Sequence, residues 1–247
     1  MSWHDLNGEL ELWRKAGRVA TFWWRDDDAV ADTAALQRLL ALRESLGVPL
    51  ALAVIPERAD AALAARVPRG VEILQHGWAH RNHAADGRPK AELGDDRSLE
   101  EIATELRQGW ARLSLLFGDR PLRVMVPPWN RIAPPVREML PGLGYRGLST
   151  FKPRRLASSL FEANTHLDIV NWGTPRYFVG EAHALQAVIE HLMLRRTNAA
   201  DPQEPTGLLT HHLVHDEGCW RFVEDFVLCT RSHPAAAWLS ARDIFAA

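Results

Sequence analysis

Residues 19–28 read VATFWWRDDD, an apolar and aromatic run that stops abruptly at one arginine and three aspartates. Residues 71–80, VEILQHGWAH, repeat that plan and finish on two histidines. Leu122–Val126 leads into Pro127-Pro128-Trp129-Asn130, Leu167–Val170 carries Asp168 and runs on to Trp172, and Gly207–Leu213 contains Thr210-His211-His212. Val48–Ile55 and Tyr145–Ser149 complete seven such runs. Their continuous apolar character predicts strands covered on both faces.

Helical patterns lie between most of them. In Ser98–Phe117, Leu99, Ile102, Leu106, Trp110, Leu113 and Phe117 recur at steps of three or four, which predicts one buried stripe with Trp110 in the core. Ser98 with Glu101 forms a capping-box signature, and Gly118 follows the last turn. Thr33–Leu46, closed by Gly47, and Glu181–Arg196 read the same way, and Trp220–Phe245 reads as one or two closing helices interrupted at Pro234. Strands alternating with helices imply parallel β/α units. Seven of them predict a closed or nearly closed β/α barrel, with a doubly wound open sheet as the alternative. Nothing resembles a repeat or a linker. One α/β domain is expected, its core spanning about residues 18–216 and its closing helices 217–247, with polar loops at Arg81–Arg97 and Asn198–Thr206.

Composition removes several classes. The 29 Lys+Arg and 31 Asp+Glu give a net charge of −2, which argues against nucleic acid or an anionic membrane as partner. Cys219 and Cys229 are too few for a disulfide framework. The first residues show no basic-then-apolar leader, and no apolar run is long enough to span a bilayer, so a cytoplasmic location without integral membrane association is expected. The excess lies in 10 Trp and 11 His, a composition compatible with a well-filled core or with a site that stacks on rings or sugars.

In a β/α barrel, reactive groups collect where strands end. Three adjacent carboxylates repel one another, so grouping Asp26, Asp27 and Asp28 at a strand end calls for a cation or a basic partner, although a lone DDD is more often a solvated, helix-capping loop. His76 and His80, four apart, can converge on one ion if the segment turns helically. Two imidazoles and one carboxylate leave positions open for water and substrate, as in a catalytic Zn²⁺ site.

The ordered set of an Asp pair, HxxxH, a PP-aromatic motif, DxxxW and a late Leu-x-His resembles the polysaccharide deacetylase (NodB-homology) family over about residues 19–215. That resemblance implies a distorted seven-stranded β/α barrel that removes N- or O-linked acetyl groups from carbohydrate with a divalent metal, zinc first and cobalt or nickel next. It implies Asp27 as general base and Asp28, His76 and His80 as metal ligands, with Asp26-Asp27 as the alternative register. Pro127-Pro128-Trp129 matches the groove-forming motif, Asp168 and Trp172 match DxxxW, and His211 matches the general acid, with His215 as rival. The family's arginine before the PP-aromatic motif is Val126 here; Arg25 or Arg131 is available to replace its charge. The usual glycine after that motif is Asn130.

Other histidines read differently. His83, His166, His183, His191 and His233 read as surface or local hydrogen-bonding residues, His212 as structural, and Arg154-Arg155 as solvated loop charge. Two other functions compete: a related C–N hydrolase acting on a small non-sugar amide, and a sugar-binding domain that has lost catalysis.

Overall fold

A computed structural model describes residues 1–154 and 159–245. The strands are β1 (Ala20–Ala29), β2 (Leu50–Val54), β3 (Val71–His76), β4 (Pro121–Val126), β5 (Gly147–Leu148), β6 (Phe161–Glu162), β7 (Leu167–Asp168), β8 (Val170–Asn171), β9 (Tyr177–Phe178), β10 (Thr206–Thr210) and β11 (Ala236–Trp238). The helices are α1 (Trp3–Lys15), α2 (Ala34–Leu46), α3 (Ala61–Arg66), α4 (Leu99–Phe117), α5 (Pro134–Met139), α6 (Glu181–Arg196), α7 (Glu217–Arg231) and α8 (Ala241–Phe245). The main ladder runs β6-β5-β4-β3-β2-β1-β10-β7, entirely parallel. β6 and β7, the two ends of this ladder, are joined by residues 163–166 but are not paired with each other among the described residues, and the sheet curls into a distorted β/α barrel.

Alternation along β1 sorts the core. Trp23 faces inward among Ala51, Ala53, Leu74, Val124, Val126 and Ala163, where small neighbours leave space for the indole. Phe22 and Trp24 face outward and join the layer of Leu36, Leu39, Val188, Leu192, Phe222 and Phe226 from α2, α6 and α7. The Trp23 Nε1–H donates to the Asn164 carbonyl at 2.9 Å, tying β1 to the segment before β7.

Several expectations need correction. Helix α1 was not anticipated, yet Ser2 and Asp5 form a capping box and Leu6, Leu10 and Trp13 are buried at helical spacing. β6 was also missed, because two residues carry no periodicity. The expected closing helices are split by β11, since Ala236–Trp238 pairs with Ala20–Phe22 and Trp238 stacks on Phe22. Trp110 is only half-buried, lying under the Arg123 guanidinium at 3.6 Å, while Gly109 takes the buried position against Gln75. Arg154 is not solvated charge: its guanidinium donates to Asp201 at 2.8 Å. Arg155 lies outside the described residues.

Gly207, the second residue of β10, lies where the barrel has no spare volume. A Cβ there would meet the Asn164 carbonyl oxygen and sit 2.6 Å from Trp23 Nε1, and neither backbone nor the buried indole can yield. Gly207→Ala is therefore expected to destabilise the fold by about 1–3 kcal/mol. Urea unfolding checks this, and an unchanged midpoint would contradict the packing described.

Candidate metal centre

The three aspartates of β1 end in three environments. Arg25 and Asp27 share the inward face with Trp23, as period-two alternation requires. Arg25 donates to both Asp27 oxygens, at 2.8 and 3.0 Å, and its remaining donors reach Ser149 Oγ at 2.6 Å and Asn130 Oδ1 at 2.7 Å. Both side chains are buried. Asp26 points outward, where it accepts from His212 Nδ1 at 2.5 Å, the His212 backbone N–H at 3.0 Å and Thr210 Oγ1 at 2.7 Å. Its charge is fully engaged on the helix side. Between Asp26 and Ala29 the β1–β2 register shifts, and Asp28 takes a left-handed φ of 72°. The irregularity turns the third carboxylate toward β3.

There it meets the two histidines. His76 closes β3, and its Nδ1–H donates to the Val126 carbonyl at 2.9 Å, which commits the Nε2 lone pair to the site. Asp28 Oδ1 lies 3.2 Å from His76 Nε2 and 3.3 Å from His80 Nε2. The three donor atoms lie within 4.8 Å of one another. Burial works against the Asp28 charge, but His76, with His211 and His80, holds its carboxyl below the usual carboxylate range. Burial also opposes protonation of His76, yet Asp27 and Asp28 raise its proton affinity above the ordinary value. Burial and His76 together push His80 down to about 4, leaving it neutral at pH 7. The group therefore demands positive charge among its members. A proton bridges one pair only, whereas a divalent ion serves all three donors, so these residues fit a metal with open positions.

Aromatic walls flank this centre. Trp129 packs its ring 4.3 Å from His80, on a turn where Trp129 and Asn130 have φ of 55° and 56°. Asparagine tolerates that left-handed conformation better than most side chains. Pro128 is buried against Gly77. Opposite, Trp172 Nε1–H donates to Asp168 at 2.7 Å and the His211 ring stands edge-on to Trp172 at 4.5 Å. Asp168 and His211 attract each other, although burial raises the Asp168 proton affinity. The His211 Nδ1 is buried with no hydrogen-bond partner. His215 turns away: its Nε2 accepts the His211 backbone N–H at 3.3 Å and its ring packs on Trp220. Arg131 also leaves the centre, donating to the Lys90 carbonyl.

Solved structures share this arrangement of strands. A polysaccharide deacetylase from Mycobacterium smegmatis superposes with a TM-score of 0.64 at 16% identity, covering 92% of this chain and 88% of the other. A family 4 acetyl xylan esterase from Clostridium thermocellum, in complex with cobalt, gives 0.55 at 16% identity over 92% and 90%. A peptidoglycan deacetylase from Bacillus subtilis gives 0.57 at 12% identity over 92% and 90%. The chain has the polysaccharide deacetylase fold. No family model and no curated protein matches its sequence.

Within this deacetylase-like barrel the sequence reading overlooked one contributor. Glu92, in the loop before α4, is fully buried and accepts from the backbone N–H groups of Trp78, Ala79 and His80. No motif marks it; only its place between two turns does.

A second set of metal-competent atoms, His166, His191 and Glu204, lies at the opposite end of the barrel. These two histidines are buried, not superficial, with rings stacked at 3.4 Å. The Gly207 N–H donates to His166 Nδ1 at 3.0 Å, so the proton of the neutral ring sits on Nε2, 3.5 Å from Glu204. Arg195 adds positive charge beside both rings. A proton-bearing Nε2 beside a guanidinium is a poor cation ligand, and the two rings are instead tied to β10, His166 through the Gly207 N–H and His191 through Thr206 Oγ1. Burial, aided by Arg195, pushes His166 down to about 3. An unfolded imidazole takes its proton near pH 6.5. Stability from this group is thus complete above about pH 6.5 and lost as pH falls toward 3, at about 1.4 kcal/mol per unit. His166→Asn keeps an acceptor for the Gly207 N–H and removes the titration. Its unfolding free energy should fall less steeply than wild type between pH 6.5 and 5, and parallel slopes would refute the assignment.

Proposed function

We propose that this chain is a metal-dependent hydrolase that removes acetyl groups from an N-acetylated or O-acetylated carbohydrate, as a divergent polysaccharide deacetylase. The convergence of Asp28 Oδ1 with two imidazole Nε2 atoms carries the reading, because it leaves three electron-pair donors facing one point. Its place at the strand ends of a fold shared with deacetylases and esterases supports it.

Asp28, His76 and His80 would hold the ion, zinc first and cobalt or nickel next. When bound, such an ion polarises the acyl carbonyl and lowers the pKa of water. Asp27 lies inside the barrel beside this point, and takes the proton from the attacking water. Its bidentate pair with Arg25 fixes the carboxylate's orientation, so Arg25 does the work that an arginine at position 126 would do. Alternation along β1 supports this register, since Asp26 is spent on His212 across the sheet. His211 donates a proton to the leaving amine or alcohol. Its geometry favours it over His215, whose Nε2 is already accepting a backbone N–H. Asp168, anchored by Trp172, supports the charge on His211 when it is protonated. Trp129 and the exposed Trp172 face the groove as apolar surfaces for a sugar ring.

No described helix is long and apolar enough to cross a membrane.

Asp27→Asn should lower acetate release from acetylated oligosaccharides by about 10²–10⁴-fold while metal content stays at the wild-type level. Activity within a few-fold of wild type would remove Asp27 as base. Wild-type protein stripped by a chelator should lose activity and regain it with zinc or cobalt. Activity indifferent to the chelator would reject the metal-dependent reading.

A further inference from the structure

The two histidines that face Asp28 sit on a turn that the backbone does not favour. His76 ends β3 in extended geometry, but Gly77 has φ 57° and His80 has φ 54°, and residues 77–80 form no regular helix. A left-handed conformation is unfavourable for histidine and persists only where its surroundings hold it. One buried carboxylate does so. Glu92 Oε1 accepts from Ala79 at 2.7 Å and Trp78 at 3.3 Å, and Oε2 accepts from His80 at 3.2 Å and Trp78 at 3.3 Å. Three successive N–H groups thus converge on one anion, a concave arrangement of the kind that binds anionic ligands elsewhere. Here the anion is internal.

Glu92 is itself fixed from both sides. Ala91 N–H donates to Asn82 Oδ1 at 3.0 Å, and the Leu93 carbonyl accepts from Ala133 at 2.8 Å, just beyond the Trp129 turn. A Cβ at position 77 would strike both Glu92 Oε2 and the Pro128 ring, so glycine is required where the carboxylate approaches the backbone. Glu92 therefore links the turn bearing His80 to the segment bearing Trp129.

We infer that Glu92 is a positioning residue for metal binding: it holds the 77–80 turn so that His80 Nε2 meets Asp28 and His76 before any ion arrives. This rests on the metal reading above. Groups that orient metal ligands in this indirect way typically change affinity by about 10- to 100-fold when removed.

The test is Zn²⁺ and Co²⁺ titration of the full chain by calorimetry, at a temperature where circular dichroism shows each variant folded. Glu92→Ala should weaken binding by about 10- to 100-fold. Glu92→Gln keeps one acceptor oxygen and should fall between wild type and the alanine variant; it also carries the test if the alanine variant does not fold. The Co²⁺ absorption spectrum should change shape in both, which a general loss of stability would not produce. Arg88→Ala, which breaks exposed pairs to Asp95 and Asp96 in the same loop, should bind as wild type. Wild-type affinity in Glu92→Gln would overturn the inference, as would equal weakening in Arg88→Ala. A wild-type chain that binds neither ion would instead reject the metal centre itself.

Discussion

Three consecutive carboxylates at the end of a buried strand cannot share one environment, and much of the active face follows from how they are separated. Pleating sends Asp26 to the helix side and Asp27 to the barrel interior, and the register shift after Asp26 swings Asp28 toward β3. Each finds its own compensation: His212 and Thr210 for Asp26, Arg25 for Asp27, two imidazoles for Asp28. The compensations differ in kind. Those of Asp26 and Asp27 are complete hydrogen-bonded pairs, while that of Asp28 is two imidazole nitrogens whose donor atoms converge with its own on one point.

The backbone around this point is held in unfavoured conformations. Among the described residues, six non-glycine residues have left-handed φ, and Asp28, His80, Trp129 and Asn130 are four of them. Such conformations persist only where neighbours over-determine them. At Asn130 the side chain accepts from Arg25, at His80 the backbone N–H is held by Glu92, and at Trp129 the ring packs on His80. Arg25 consequently binds two parts of the site together, orienting Asp27 and anchoring the turn that carries Trp129.

The barrel itself was largely readable from the chain. Most of the long strands and helices announce themselves through local periodicity: β1, β2, β3, β4 and β10 are runs of apolar residues, and α2, α4 and α6 carry caps or stripes of regular spacing. What escaped was short or context-dependent. β6 has two residues, β11 occupies a stretch with helix-like composition, and the half-buried Trp110 lies under the Arg123 guanidinium, a partner its spacing does not reveal.

The sequence alone determined the kinds of group available and where they stand along the chain, because residue type and strand ends are local properties. The order of an Asp cluster, HxxxH, a PP-aromatic segment, DxxxW and a late histidine was visible without coordinates. Tertiary structure decided which groups meet. That Arg25 reaches Ser149 and Asn130, that His166 and His191 stack inside the barrel and that Glu92 reaches back to the His80 turn are all long-range facts. They depend on how strands and loops distant in sequence come together around the barrel, and no one-dimensional pattern records that geometry.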